Sequence, residues 1–205
     1  MPVMISLLRG VNVGGHKKIQ MEALRTLYRR LGLKDARTYV QSGNVVFSTS
    51  KRAPGRLADE IESGIARTFG FPAGVVLRTA AELRKIVARN PFASRRNIHP
   101  GKLVTIFVER DLDAATRARL LAIQTDREEV HLAGRELYVY FPDGMGRSKL
   151  WPAIDKALGN AGTARNWNTV MKLLEMAEAL EAQPSGECCA PPARIDRPLV
   201  KCYKN

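Results

Sequence analysis

The order in which strand-like and helix-like apolar patterns follow one another limits the fold of this chain more than any single motif. Val3 to Leu8 is a continuous apolar run of strand length. Met21, Leu24, Leu27, Tyr28 and Leu31 then recur at helical spacing, and Gly32 stands where a helix stop is wanted. Arg37 to Val40 and Val45 to Ser48 read as strands around Gln41-Ser42-Gly43-Asn44, whose Gly and Asn suit a hairpin tip. Leu57, Ile61, Ile65 and Phe69 mark a second helix introduced by Pro54, and Val75 to Arg78 supplies a fourth strand. After a linker helix from Ala81 to Ala88 that ends at Asn90-Pro91, the pattern restarts. Leu103 to Val108 is a strand, Ala114 to Ile123 a helix, and Glu129 to Leu132 with Leu137 to Phe141 a hairpin across Ala133-Gly134-Arg135. Leu150 to Leu158 is a helix, Gly162 to Arg165 an edge strand, and Asn166 or Asn168 caps a last helix carrying Val170, Leu173, Leu174 and Ala177.

Each half therefore reads β-α-β-β-α-β, the split arrangement of ferredoxin-like units, in which both helices lie on one face of an antiparallel sheet. The expected fold class is α+β: a tandem duplication of that unit with little residue identity between halves, plus a C-terminal helix. The expected divisions are 1–79 for the first half, 80–100 for a linker helix and loop, 101–182 for the second half with its C-terminal helix, and 183–205 for a flexible tail. The tail is rich in Pro and small polar residues and has no periodicity.

Thirty-three Lys and Arg against twenty Asp and Glu give a net charge of +13. That excess favours anionic partners, nucleic acid included, although a solvated basic surface accounts for most of it. No apolar run approaches a membrane span, and the first residues lack the basic and apolar regions of a signal peptide, so a cytoplasmic protein without a membrane partner is expected. Cys188, Cys189 and Cys202 all lie in the tail, which argues against a disulfide framework or a zinc site and favours incidental or reactive thiols.

Three segments, Leu8-Arg-Gly-Val-Asn-Val-Gly-Gly15, Thr38-Tyr-Val-Gln-Ser-Gly-Asn-Val-Val-Phe47 and Thr163-Ala-Arg-Asn-Trp-Asn-Thr169, together resemble the bacterial domain of unknown function family DUF1697. The resemblance runs in the same order from about Met1 to Leu180 and leaves the cysteine-containing tail outside. It implies the tandem ferredoxin-like architecture and no particular reaction.

The loop after the first strand comes close to a P-loop, with Gly10 and Gly15 at the right separation, but His16 holds the Lys position and Lys17 the Ser/Thr position. Its glycines can turn successive N–H groups toward an anion, and Arg9, Lys17 and Lys18 add charge. A purely structural turn is the alternative. Gln41 exceeds what a turn requires, whereas Ser42, Gly43 and Asn44 are ordinary turn residues. Asn166, Trp167, Asn168 and Thr169 are explained by capping and packing; Arg165 is the surplus, a guanidinium able to hold a carboxylate or phosphate beside a helix start. Asp143 to Lys149 is a fourth basic loop before a helix, with Ser148 as the expected cap.

From these the expected ligand-binding set is Arg9, Asn12, Lys18, Gln41, Asn44, Arg165 and Asn168, forming a polar cleft for a phosphorylated or carboxylated small molecule. No metal or cofactor is expected. His16, inside the basic loop, is the first candidate for proton transfer; His99 and His131 have no metal-ligand spacing. The competing reading is weak nucleic acid binding by the basic surface; Tyr138 and Tyr140 on one strand face make either a stacking platform or simply an amphipathic strand.

Overall fold

The computed structural model describes residues 1–14, 17–51, 53–159 and 161–183. Gly15, His16 and the tail with Cys188, Cys189 and Cys202 lie outside the described residues. In the first half, β1 (Val3–Leu8), α1 (Met21–Arg30), β2 (Lys34–Tyr39), β3 (Asn44–Ser48), α2 (Pro54–Phe69) and β4 (Val75–Thr79) build a sheet of order β2-β3-β1-β4. A helix α3 (Ala80–Ala88) follows. In the second half, β5 (Leu103–Phe107), α4 (Ala114–Leu121), β6 (Glu129–Ala133), β7 (Glu136–Tyr140), α5 (Leu150–Ala157) and β8 (Thr163–Asn166) repeat the order as β6-β7-β5-β8, and α6 (Trp167–Glu181) ends the described fold. Every pairing is antiparallel, as the ferredoxin-like reading requires.

Local signals set the boundaries. Gly32, at φ 76°, follows α1, and the N–H groups of Gly32 and Leu33 return to the carbonyls of Arg29 and Tyr28, a Schellman closure. Thr79 and Glu82 form a reciprocal capping box at α3, and Asn166, not Asn168, caps α6 by accepting from the Thr169 N–H at 3.0 Å. At α5 the Ser148 hydroxyl accepts the Leu150 N–H at 3.0 Å, although the residue at the helical boundary is Lys149. The second strand begins earlier than its apolar pattern suggests. Lys34 to Ala36 belong to an edge strand with an irregular register between Lys34 and Arg37 and a left-handed Asp35, so alternation is lost there.

Both central strands are buried on two faces. Met4 and Leu8 of β1 pack against α1 and α2, whereas Val3, Ile5 and Leu7 face a second core with Leu103, Phe107 and Tyr138 from the other sheet. Val104 and Ile106 face a third core with α4 and α5. The continuous apolar runs follow from this double burial, since neither face of β1 or β5 meets water. Helix α3 carries Leu83 and Ile86 into the middle core beside Val170, Leu173 and Ala177 of α6. The segment read as a linker thus fills the space between the sheets. No helix among the described residues is long and apolar enough to cross a membrane.

Candidate functional site

The chain leaving β1 is pinned from two sides. The Leu8 N–H donates to the Gly43 carbonyl at 2.9 Å, and the Arg9 N–H donates to the Gly74 carbonyl at 2.8 Å. The loop then turns through four left-handed residues, Gly10, Asn12, Gly14 and Lys17. Asparagine tolerates that conformation because its short side chain bonds locally. Here Asn12 Oδ1 accepts the Ile19 N–H at 2.8 Å, while Nδ2 donates to the carbonyls of Ile19 at 3.0 Å and Gln41 at 2.6 Å. Asn12 therefore closes the loop on itself and ties it to the hairpin tip.

On the other flank Lys17 Nζ donates to the Pro72 carbonyl at 3.2 Å, and the Arg9 guanidinium lies over Gly74, where an added Cβ would come within 2.9 Å of Nη2. Arg9, Lys18 and the Gln41 side chain are exposed.

The hairpin tip is wedged beneath this loop. Gly43, at φ 72°, leaves so little room that a Cβ there would sit 2.6 Å from Val11 Cγ2 and 2.7 Å from Leu8 Cβ. Val40 is also left-handed, an uncommon state for a β-branched residue. Asn44, fully buried, donates through Nδ2 to the Tyr39 carbonyl at 3.0 Å and the Ser42 hydroxyl at 2.9 Å.

Arg165 reaches this tip from the second half and is only 7% exposed. Nε donates to Asn44 Oδ1; Nη1 donates to Thr163 Oγ1 and the Ala164 carbonyl, both at 2.8 Å; Nη2 donates to the carbonyls of Leu8 at 2.7 Å and Ser42 at 3.0 Å. A guanidinium has five N–H donors. All five are taken by oxygens of the protein, so Arg165 has none left for a ligand, and burial lowers its pKa to about 10. It acts as a clasp between halves rather than as the ligand clamp expected from its position before a helix.

A second buried arginine escaped the sequence reading. Arg78 of β4, 1% exposed, donates to Glu136 of β7 through Nε at 2.9 Å and to the Val108 carbonyl through Nη2 at 2.7 Å. The available signal was a charge at the end of Val75-Val76-Leu77-Arg78, an otherwise apolar strand.

Other expected members stand apart. The Asn168 amide lies by Gly101, near the start of β5, whereas Arg165 points toward Leu8. The Asp143–Lys149 loop also leaves from that opposite edge: Tyr140 pairs with Leu103, while Thr163 pairs with Phe107 at the other end of β5. That loop lines a separate cleft of about 480 Å³ with Glu128, which accepts from Ser148. The single cleft of seven residues is thus corrected to an exposed group (Arg9, Lys18 and Gln41) framed by a half-buried Asn12, a buried support (Asn44 and Arg165) and a remote Asn168. His99 Nδ1 accepts the Gly101 N–H at 3.1 Å, which makes it a loop cap.

The stacking platform is also absent. Tyr138 is 1% exposed and donates to the Ile86 carbonyl at 2.7 Å inside the middle core, and Tyr140 packs near Phe92 with ring centroids 6.0 Å apart. The sheet face that would carry bases is covered by the other half. No cluster of metal-ligating side chains occurs among the described residues.

The fold is that of a duplicated ferredoxin-like α+β protein whose halves share a core, and in this chain Arg165 of the second half holds the first loop and hairpin of the first. The chain belongs to the family DUF1697, described as a protein of unknown function, whose model matches residues 1–138. The conserved bacterial protein SP0830 from Streptococcus pneumoniae has a similar fold, with a TM-score of 0.71 at 22% sequence identity over 87% of this chain and 99% of that one. No curated protein matches.

Proposed function

We propose that the protein binds an anionic small molecule, phosphorylated or carboxylated, on the loop between β1 and α1, with Arg9 and Lys18 as cationic contacts and Asn12 and Gln41 as the frame. The observation that carries this reading is a basic loop whose described residues are held by hydrogen bonds on both flanks. Residues 9–20 contain Arg9, Lys17 and Lys18 and no acid, and bonds to Gly43, Gly74, Pro72 and Gln41 hold the loop on several sides. Left-handed Gly10, Asn12 and Gly14 recur at every second position, the kind of backbone from which anion nests are built. A preformed site of this kind loses little entropy on binding. His16 remains the proton-transfer candidate at the same loop.

A thermal-shift screen of the full chain against inorganic phosphate, nucleotides, phosphosugars, carboxylates and short RNA tests this. A ligand at a hundred times its dissociation constant stabilises by about 2.7 kcal/mol. The expected result is a shift that persists at high salt and is lost in Lys18→Ala and Arg9→Ala. Stabilisation by any polyanion, erased by salt and indifferent to both substitutions, would assign the effect to net charge and refute the loop site.

A further inference from the structure

The duplication places the two buried arginines at equivalent positions. Arg78 pairs with Ile5, the third residue of β1, and Arg165 pairs with Thr105, the third residue of β5. Asn44 pairs with Leu7 and Glu136 with Phe107, the fifth residues of the same strands. Their bonds correspond as well. Each Nε donates to the side-chain oxygen at the equivalent position across the interface, Glu136 for Arg78 and Asn44 for Arg165. Each Nη1 donates at 2.8 Å to the carbonyl of the preceding residue, Leu77 or Ala164. Each Nη2 donates at 2.7 Å to the carbonyl at the end of the opposite central strand, Val108 or Leu8. Even the backbone beneath repeats, with Val108 N–H on the Arg135 carbonyl and Leu8 N–H on that of Gly43.

Arg165 adds bonds to Thr163 Oγ1 and the Ser42 carbonyl, and the difference that changes the electrostatics is the charge of the partner at position 136 or 44. Position 136 is a carboxylate, 2.8 Å from Arg78, while the more distant charges of Arg135 and Glu82 act on Arg78 in opposite directions. Position 44 is a neutral amide, and the oxygens to which Arg165 donates among the described residues are all neutral, while burial lowers its pKa. A buried charge whose hydrogen bonds are all made is still short of a counter-charge, because carbonyl dipoles solvate it only in part. A guanidinium does not lose its proton near neutral pH, so the charge stays.

The geometry points to Arg165 as a buried electrostatic anchor of the loop site: with asparagine at position 44, its positive charge has no acidic partner among the described residues, and the anion bound above Leu8 and Ser42 supplies the counter-charge. This rests on the anion-binding reading given above. Arg165 is a positioning residue that touches no ligand. It holds the Leu8 and Ser42 carbonyls, and its field adds to that of Arg9 and Lys18. At a separation of about 6 Å and an effective dielectric of about 20 to 40, one such charge changes anion affinity by roughly tenfold to a hundredfold.

The test supplies the counter-charge from within. Binding of inorganic phosphate and of pyrophosphate to the full chain is measured calorimetrically for wild type, Asn44→Asp, Ser42→Asp and Ser42→Asn. Asn44→Asp copies the acidic character of the other half, but loses the two bonds made by the amide nitrogen. Ser42→Asp retains the Asn44 amide but replaces the hydroxyl it donates to, and comparison with Ser42→Asn, which shares that loss, isolates charge from size. The expected result is at least about tenfold weaker phosphate binding in Asn44→Asp than in wild type and in Ser42→Asp than in Ser42→Asn. In the wild type, the Arg165 Nε–H resonance should move with phosphate at the same dissociation constant as the loop amides. Folded acidic variants that bind as tightly as their neutral counterparts, or an Arg165 resonance that stays still while the loop titrates, overturn the anchor and leave the loop site standing. Absence of any saturable binding to wild type overturns both.

Discussion

Replacing Gly43 with alanine tests the wedging of the hairpin under the β1–α1 loop. Two separate effects act at this position. A left-handed backbone costs an L residue roughly 1 to 2 kcal/mol that glycine escapes. In addition, the new Cβ would lie 2.6 Å from Val11 Cγ2 and 2.7 Å from Leu8 Cβ, so buried neighbours must move by most of an ångström. Overpacking of that kind costs about 1 to 3 kcal/mol. Gly32 is the matched control, since its φ of 76° is close to the 72° of Gly43 but nothing lies within 4 Å of its added Cβ. Gly32→Ala should therefore cost about 1 to 2 kcal/mol and Gly43→Ala about 2 to 5. For a chain of this size the gap corresponds to roughly 2 to 12 °C in melting temperature, measurable by calorimetry alongside urea unfolding. Equal costs for the two substitutions would refute the close approach and the mechanical link between hairpin and loop.

Glu136→Ala strips Arg78 of its buried counter-charge and should destabilise the protein by about 3 to 5 kcal/mol in urea unfolding, the usual penalty for breaking one side of a buried pair; a cost below about 1 kcal/mol would contradict the clasp. Burial raises the Glu82 pKa, but bonds from Thr79 and the Arg135 guanidinium more than offset it and hold the group below its usual value. A depressed folded-state pKa stabilises above the unfolded value and ceases to as pH falls through the folded one, so stability should decline from about pH 4 downward, and the decline should flatten in Glu82→Gln. An unchanged acid limb in that variant would remove Glu82 from the account. Tyr138→Phe loses the bond to the Ile86 carbonyl and should cost about 1 to 2 kcal/mol in thermal unfolding without altering RNA retention on a filter; weaker RNA binding in a folded variant would reopen the stacking reading.

The elements most legible in the sequence are those fixed by local chemistry or by burial on both faces. Val3 to Leu8 and Leu103 to Val108 read as strands because nothing polar interrupts them except Ser6 and Thr105, and the structure places both strands between two cores. Gly32 and Asn166 were readable as helix ends for the same reason: each satisfies a backbone requirement a few residues away. Lys34 to Ala36 carried no apolar alternation, since an irregular edge strand has one open side.

Much of the site depends on which half faces which, and that is tertiary information. Arg165 was recognisable as more than a cap, yet its partners Leu8, Ser42 and Asn44 lie more than a hundred residues away. Asn168 was grouped with it by motif type and family resemblance, but it lies in the first turn of α6 and its amide sits by Gly101, away from Leu8. Asn12 and Gln41 were singled out by residue type, and the structure joins them, through the backbone carbonyl of Gln41 rather than its side chain.

The most direct test of the account is a titration of isotopically labelled full-length protein with inorganic phosphate at physiological salt, followed through backbone amide resonances. The account predicts saturable shifts concentrated in residues 9–14, 17–19 and 41–43, with one dissociation constant for all three segments. Shifts scattered over the basic surface without saturation, or centred on the loop 143–149, would contradict an anion site on the β1–α1 loop.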